Sequence, residues 1–315
     1  MRLNQPNIIH FDGPSAEARR LFAGAPKSTG KPIASLDVEQ ARADAEKAYA
    51  APAQWSREQY CQSVTEERVD SIRYLRIVPK VLNAALQGKV GVYFFGGGFF
   101  TGSPELDLIV SAAIAQALGI VMLSPDYQLA PENPFPAGFD DCFAFYKSAE
   151  THYGADNIFL MGESAGANLA MATVLRAFDE GIALPTCVVA MSPATDQHSD
   201  AFAPDNLYQD DPALLPELVD YVGRIYAPNT PNNDPYVSPH FATYGEWFPP
   251  ILFTTGTRDV FQFQVLKSAE KLAHANIDVT VHLWQGMWHV FEYYPEIPEA
   301  GRSIAQIATF VRAHV

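Results

Sequence analysis

One serine lies between two glycines, in residues 162–166, which read Gly-Glu-Ser-Ala-Gly. An apolar, strand-like run precedes this segment and a helix-like run follows it. That context is typical of the strained strand-to-helix turn that exposes a nucleophilic serine, and the glycines allow neighbouring backbone to approach closely. We therefore predict that Ser164 is a nucleophile for acyl transfer and that the backbone N–H of Ala165 faces the developing oxyanion.

A nucleophilic serine needs a base and an acid, which in this arrangement follow later in the chain, at the ends of other strands. Asp259 follows the apolar run 251–254, whereas Asp278 precedes its strand and would lie at the wrong edge of the sheet. His289 follows the last predicted strand and is the one of the 8 histidines in the required place. The order serine, acid, histidine therefore predicts Ser164, Asp259 and His289 as the catalytic residues.

A second glycine-rich segment, residues 95–99, directly follows the predicted strand that begins at Val90. Its three consecutive glycines leave several backbone N–H groups open to a ligand, which suits the other half of an oxyanion hole. The alternatives are a flexible turn or a phosphate-binding loop. The segment lacks the Lys-Ser/Thr of a P-loop and the spacing of a dinucleotide fingerprint, so the oxyanion interpretation is favoured.

Short apolar runs alternate with longer amphipathic stretches from about Ile72 onward, which is typical of strands and crossover helices. We predict an α/β fold with a mostly parallel central sheet flanked by helices. The predicted strands are 71–78, 90–95, 120–123, 158–161, 187–191, 251–254 and 279–283. The predicted helices are 106–118, 139–153 and 165–178, each followed by a glycine that can end a helix.

Two segments interrupt this alternation, residues 1–65 and 197–247. We expect both to lie outside the sheet and to pack together as a lid over its catalytic edge. Asp37 and Gln40 have the spacing of a capping box, ahead of a predicted helix over 37–50. The apolar residues expected to cover the site are Phe11, Leu21, Phe22, Trp55, Phe202, Leu207, Leu214 and Leu215.

The composition indicates a compact globular protein, since 48% of the 315 residues are hydrophobic and 18% are charged. The net charge of −15 argues against binding to nucleic acid or to an anionic membrane. Cys61, Cys142 and Cys187 are too few and too widely spaced for a disulfide framework or a structural zinc site, so we expect them in the core. The N-terminus is unlike a signal peptide and no long apolar run is present, from which we expect a soluble, cytoplasmic protein.

Longer motifs make the chain, from about Ile72 to its end, similar to the hormone-sensitive-lipase-like (bacterial family IV) esterases of the α/β-hydrolase superfamily. The motifs cover residues 96–99, 126–137, 162–166, 192–196 and 234–239. The resemblance implies a helical cap built from residues 1–65 and the 197–247 insertion, with the catalytic domain over 66–315. It also implies carboxylesterase activity on short- or medium-chain acyl esters, with Gly97, Gly98 and Ala165 as oxyanion donors.

Three residues depart from the family pattern. Phe95 stands where the glycine loop usually begins with histidine, Gln128 replaces the usual arginine, and Glu163 stands where aspartate is commoner. We expect packing to support the glycine loop in place of the hydrogen bonds of the histidine. The change at Phe95 bears on substrate preference and rate, and leaves the fold and the reaction class intact.

Together these residues predict a serine carboxylesterase acting on a small ester, with no metal or cofactor. The alternatives are a specialised lactone, carbamate or amide hydrolase, or a cyclase, with the same triad. From another class, the chain could be a non-catalytic ligand receptor, but such a receptor need not keep His289. The resemblance also implies either a monomer or a homodimer paired through the last edge strand, here residues 279–283.

Overall fold

The computed structural model of the protein describes residues 3–24, 35–197 and 211–315. The strands of this part are β1 (Asn7–Phe11), β2 (Cys61–Val69), β3 (Ile72–Pro79), β4 (Val90–Phe94), β5 (Val121–Pro125), β6 (Ile158–Glu163), β7 (Cys187–Met191), β8 (Ile251–Gly256) and β9 (Val279–Trp284). They form one sheet in the order β1-β9-β8-β7-β6-β4-β5-β3-β2. Strand β3 is antiparallel to β2 and β5, and the other neighbouring pairs are parallel.

The predicted α/β fold with a mostly parallel sheet is confirmed. Strands β4, β6, β7 and β8 are buried at every position. This burial explains their continuous apolar runs, because a central strand that is covered on both faces has no water-facing side. The observed strands extend past some predicted ends, as in β6, which continues through Gly162 to Glu163.

The N-terminal segment is partly inside the sheet, so the expectation that residues 1–65 lie outside it is wrong. Strand β1 pairs in parallel with β9, and the Phe11 ring stacks on Trp284 with 4.1 Å between ring centroids. Four of its five residues are exposed and only Phe11 is half-buried. Its apolar residues Ile8 and Ile9 are exposed, so pairing with β9, and not burial of its side chains, makes this segment a strand.

The position of β1 also corrects the expectation for dimer pairing. Residues 279–283 were expected at the edge of the sheet, but β9 lies between β1 and β8. The backbone hydrogen-bonding groups of β9 are thus paired on both sides within the chain, and pairing with a second copy through this strand would require the displacement of β1.

The helices are α1 (Ala16–Ala23), α2 (Val38–Tyr60), α3 (Leu108–Leu118), α4 (Ala137–Tyr153), α5 (Ser164–Asp179), α6 (Pro216–Tyr226), α7 (Gln262–His274) and α8 (Pro298–Ala313). Helix α2 begins as predicted, because the Asp37 carboxylate accepts the Gln40 N–H at 2.9 Å. The Gln40 side chain donates to Asp44 instead of completing the capping box. Helix α2 runs ten residues beyond its predicted end, through Pro52.

The helices pack on the sheet and on one another, with α2 against α3, α3 against α8 and α4 against α5. Cys61, Cys142 and Cys187 are buried in this core, as predicted. Burial raises the pKa of the Cys61 thiol to about 11. Among the helices in the described ranges, none has both the length and the apolar composition that crossing a bilayer requires.

Candidate active site

Ser164 lies at the junction of β6 and α5 with a positive φ of 51°. A side chain at either flanking glycine would prevent this turn. A Cβ at Gly162 would lie 2.5 Å from the backbone of Gly166, and a Cβ at Gly166 would overlap the carbonyl oxygen of Phe94. The two glycines therefore allow the strained backbone that presents Ser164 at the carboxyl edge of the sheet.

The structure brings the three sequence-predicted residues Ser164, His289 and Asp259 together. The distance from Ser164 Oγ to His289 Nε2 is 2.9 Å, and that from His289 Nδ1 to Asp259 Oδ1 is 3.1 Å. Asp259 follows β8 and His289 follows β9, so adjacent parallel strands carry the two loops to one edge of the sheet. With Nδ1–H donating to Asp259, Nε2 is free to accept the Ser164 hydroxyl proton.

Burial and mutual attraction together set the protonation of Asp259 and His289. Burial opposes the ionised form of Asp259, but the imidazole of His289 and the hydrogen bonds to the carboxylate outweigh it, so the pKa of Asp259 is lowered. The donors include Thr255 Oγ1 and Phe261 N, each at 2.9 Å. For His289, burial opposes the imidazolium and the Asp259 carboxylate overcomes this, so the pKa of His289 is raised.

The other acid weighed from the sequence, Asp278, lies elsewhere. It precedes β9, is exposed, and contacts the His314 ring at 3.3 Å. The structure thus places Asp259, and not Asp278, beside His289.

The glycine loop that follows β4 lines the same cavity as Ser164. Gly97 and Gly98 have φ values of 94° and 62°, which glycine adopts without strain. Gly97, Gly98 and Ala165 all line the cavity with Ser164 and His289. The three predicted oxyanion donors are therefore near the nucleophile.

A buried acidic cluster that the sequence did not reveal lies behind this loop. The Glu163 carboxylate accepts the Gly96 N–H, and the Tyr293 hydroxyl contacts both Glu163, at 3.2 Å, and Asp107. Burial, followed by the neighbouring Asp107 charge, raises the pKa of Glu163 well above its usual range, and burial raises the pKa of Asp107 to about 7. Its surroundings therefore favour the neutral form of the Glu163 carboxyl.

A cavity of about 390 Å³ opens at Ser164. Its walls are mostly apolar and come from α2, from α6 and from the glycine loop. Residues of the two helices that line it are Ala41, Asp44, Ala45, Ala48, Tyr49, Leu218, Val219 and Val222. In this size range the cavity suits a small organic molecule with an apolar part.

The apolar residues expected to cover the site only partly do so. Leu214 lines the cavity, whereas Phe11 stacks on Trp284, and Leu21 and Trp55 are 38% and 43% exposed. The expectation is wrong for these three and for Leu215, none of which lines the cavity. Strand β1 holds Phe11 against the sheet, and α2 turns its alanine face to the site. Phe202, Leu207 and the side chain of Phe22 lie outside the described residues.

Arg42 attaches α2 to the loops around the site. Its guanidinium donates to the carbonyl oxygens of Phe100 at 2.8 Å and Ala130 at 3.0 Å. It also forms two hydrogen bonds with the Glu132 carboxylate, at 2.9 and 2.8 Å. This paired geometry fixes the helix relative to the glycine loop.

The insertion contributes another residue that sequence reasoning missed, the buried Asp211. Its carboxylate accepts the backbone N–H of His289 at 3.1 Å. The only sequence signal was an Asp-Pro pair, which indicates a turn and says nothing about contacts far along the chain.

Within the described ranges, the acidic, histidine and cysteine side chains form no group of three or more suited to a metal ion.

Comparison with known proteins identifies relatives of this chain in sequence and in fold. Residues 91–293 match the α/β-hydrolase fold family. An acetyl-hydrolase of Streptomyces hygroscopicus is 30% identical over 73% of this chain and 77% of its own length. A hormone-sensitive lipase from a metagenome library has a TM-score of 0.78 at 27% identity, over 88% of this chain and 97% of that protein.

The fold extends over nearly the whole chain. The crystal structure of the esterase E25 matches with a TM-score of 0.85 at 24% identity, over 97% of this chain and 98% of that one. At 24% identity the likeness to the esterase E25 shows a shared fold. The family match over residues 91–293 and the relative at 30% identity show that the sequences are related as well. The chain therefore belongs to the hormone-sensitive-lipase-like esterases of the α/β-hydrolase family.

Proposed function

We propose that the protein is a serine carboxylesterase that hydrolyses short- to medium-chain acyl esters through Ser164, His289 and Asp259. The observation that carries the proposal is the 2.9 Å contact from Ser164 Oγ to His289 Nε2 at an apolar cavity. A serine within reach of a base that is itself oriented by an acid is the arrangement for covalent acyl transfer.

In the first half-reaction, Ser164 Oγ attacks the ester carbonyl carbon while its proton moves to His289 Nε2. The Asp259 carboxylate holds the imidazole and stabilises the imidazolium. The bond to the alcohol then breaks, and the alcohol leaves with the proton from Nε2. In the second half, water gives a proton to Nε2 and attacks the acyl-enzyme, after which Ser164 regains its proton and the carboxylic acid leaves.

The backbone N–H groups of Gly97, Gly98 and Ala165 stabilise the negative oxygen of both tetrahedral intermediates. The support for this assignment is that all three residues line the cavity next to Ser164. Backbone donors need no reorganisation as the charge develops, and the loss of one such donor raises the barrier by about 3 kcal/mol.

The cavity supports an ester with a short or medium acyl chain. Each buried methylene contributes about 0.8 kcal/mol, so longer acyl chains bind more tightly until the apolar space is filled. The 390 Å³ available also limits the size of the whole ester. The similarity to an acetyl-hydrolase supports the short end of this range.

We also propose that residues 1–65 and the 197–247 insertion form the cap of a catalytic domain over 66–315. Helix α2 of the first segment and α6 of the second both line the cavity, and Arg42 joins α2 to the loops around it. A cap in this place excludes water, which strengthens the contacts to the oxyanion. Strand β1 and the first residues of β2 are the parts of the first segment that belong to the sheet instead.

Steady-state rates on p-nitrophenyl esters from acetate to laurate, with a set of lactones alongside, test the substrate class. The proposal expects the highest kcat/KM among short and medium linear esters and no detectable turnover by Ser164→Ala. Faster turnover of a lactone than of every linear ester would instead support the lactone-hydrolase alternative.

A further inference from the structure

Asp211 reaches from the insertion to the two loops that carry the proposed acid and base. Its Oδ2 accepts the N–H of Val260 at 2.9 Å and the N–H of His289 at 3.1 Å. Its Oδ1 accepts the N–H groups of Ala213 at 2.9 Å and Leu214 at 3.2 Å. The residue is 1% exposed, so four backbone donors take the place of water around this carboxylate.

These four contacts require a carboxylate. An ionised aspartate only accepts hydrogen bonds and has about four acceptor positions, two on each oxygen. An asparagine in the same place would turn one oxygen into an NH2 group facing two N–H donors. The arrangement is therefore specific for the charge and for the acceptor geometry of aspartate.

We propose that Asp211 is a positioning residue of the active site, which fixes the backbone of His289 relative to the Asp259 loop and favours the imidazolium form of His289. This inference rests on the proposed function of Ser164, His289 and Asp259. Asp211 acts through His289, and its contacts to Ala213 and Leu214 connect that histidine to the cavity wall, since both residues line the cavity.

Three buried carboxyl groups act on the charge of the imidazole. Burial lowers the pKa of His289, and Asp259, Asp211 and Glu292 act against burial, with Asp259 the strongest. The groups that face Asp211 are Asp259, His289 and Tyr294. Burial, followed by the Asp259 charge, raises the pKa of Asp211 to about 6. Asp211 is thus mostly ionised at neutral pH, when the imidazolium forms during turnover.

The chain contains a matched control for this residue. Asp234 is also followed by proline, and its Oδ1 accepts the N–H of Tyr236 at 2.8 Å, as Asp211 Oδ1 accepts the N–H of Ala213. The two aspartates thus share a hydrogen bond from the side chain to the backbone N–H two residues on, and Asp211 Oδ1 also accepts the N–H of Leu214. Asp211 also contacts the backbone of Val260 and His289, which Asp234 does not. Substituting each aspartate in turn therefore separates the effect of the local hydrogen bond from the effect of the contact with the active site.

The test compares Asp211→Asn with Asp234→Asn in kcat and KM across pH 5 to 9, with thermal unfolding measured in parallel. Asp211→Asn is expected to lower kcat roughly ten- to hundredfold, the cost of a small displacement of the base, with little change in KM. The rise of kcat on the acid side of its pH profile should move to lower pH, because the imidazolium of His289 loses a negative neighbour and its pKa falls. Asp234→Asn should leave kcat and the acid limb as in the wild type.

If the acid side of the pH profile of kcat stays at the wild-type position in Asp211→Asn, whatever the size of kcat, the inference is overturned and Asp211 has a structural role only. Asp211→Ser keeps an oxygen for the turn and removes the charge, so it provides the same test should the asparagine variant fail to fold. NMR titration of the His289 ring gives the same shift without turnover. Ser164→Ala decides the proposed function separately, since its loss of activity does not depend on Asp211.

Discussion

Phe95 and Tyr127 form a stacked pair at the start of the glycine loop, with ring centroids 4.1 Å apart and planes 15° from parallel. The Tyr127 hydroxyl donates to the carbonyl oxygen of Phe95 at 2.7 Å. Both side chains are buried. Stacking and a hydrogen bond from Tyr127 thus support the loop where a histidine is usual in the family, in agreement with the expectation that packing would do so.

Tyr127→Phe is expected to lower kcat roughly tenfold with little change in KM, because a glycine loop that loses this hydrogen bond places its oxyanion donors less accurately. The ring stack remains in the variant. The unfolding free energy should fall by about 1 kcal/mol for the lost hydrogen bond. Steady-state kinetics and chemical denaturation measure the two effects.

Tyr146→Phe is the matched control. The Tyr146 hydroxyl also donates to a backbone carbonyl, that of Ala183 at 2.6 Å, but Ala183 lies outside the glycine loop and does not line the cavity. It should lose similar stability with kcat unchanged. Equal losses of kcat in the two variants would show that the effect of Tyr127 is general destabilisation.

Glu163→Gln is expected to stabilise the protein relative to the wild type, and increasingly so as pH rises above about 4.5. The pKa of Glu163 is raised in the folded state, so the folded protein binds more protons than the unfolded chain above the usual carboxyl range near 4.5. Wild-type stability therefore falls as pH rises through that window, while the neutral glutamine has no such dependence. Thermal unfolding from pH 5 to 9 provides the measurement.

The exposed Glu46→Gln is the control for this prediction, and its Tm should follow the wild type across the pH range. A constant difference in Tm between Glu163→Gln and the wild type at all pH values would mean that Glu163 is ionised throughout, contrary to the argument from its burial beside Asp107.

Asp259→Asn is expected to lower kcat by about 10⁴-fold, since an asparagine favours the wrong imidazole tautomer at His289. Asp278→Asn should have wild-type kinetics, because Asp278 is exposed and contacts His314. The same assays give the pH profile. Because the neutral imidazole is the base and the pKa of His289 is raised, the acid limb of wild-type kcat/KM should lie above 6.5. Loss of activity in the Asp278 variant would show that the acid is misassigned.

Ala45→Phe is expected to shift the substrate preference toward esters with shorter acyl chains. Ala45 lines the cavity, so a phenyl ring there removes space that longer acyl chains would occupy, while acetyl esters should still turn over. Ala43→Phe places the same ring on an exposed position of α2 and should leave the preference unchanged. An equal loss on every acyl length in Ala45→Phe would indicate disruption of the helix rather than a filled pocket.

The parts of the fold and site that could be predicted depend on local pattern. The apolar run of β6 followed by Gly-Glu-Ser-Ala-Gly predicts both a strand and a turn, and the structure places Ser164 there. Asp259 and His289 could be selected because the carboxyl ends of parallel strands share one edge of a sheet. The three residues meet in the structure for that reason.

The parts that could not be predicted depend on contacts between distant residues. Strand β1 forms because it pairs with β9, about 270 residues further along the chain, while four of its own five residues are exposed to solvent. Helix α2 continues through Pro52, a residue that usually ends a helix, and buries Ala53 and Ser56 beyond it. Asp211 has the local pattern of a turn, and its contacts to Val260 and His289 arise only when the insertion folds onto the sheet.

Labelling with a fluorophosphonate, followed by intact mass measurement and peptide mapping, tests the role of Ser164 most directly. A serine activated by His289 attacks the phosphorus and forms one stable adduct, which requires both the nucleophile and its base. The proposed mechanism predicts a single adduct on Ser164, slowed by a butyrate ester, and no adduct in Ser164→Ala. An unlabelled Ser164 in protein that hydrolyses esters, or an adduct on another serine that abolishes activity, would contradict it.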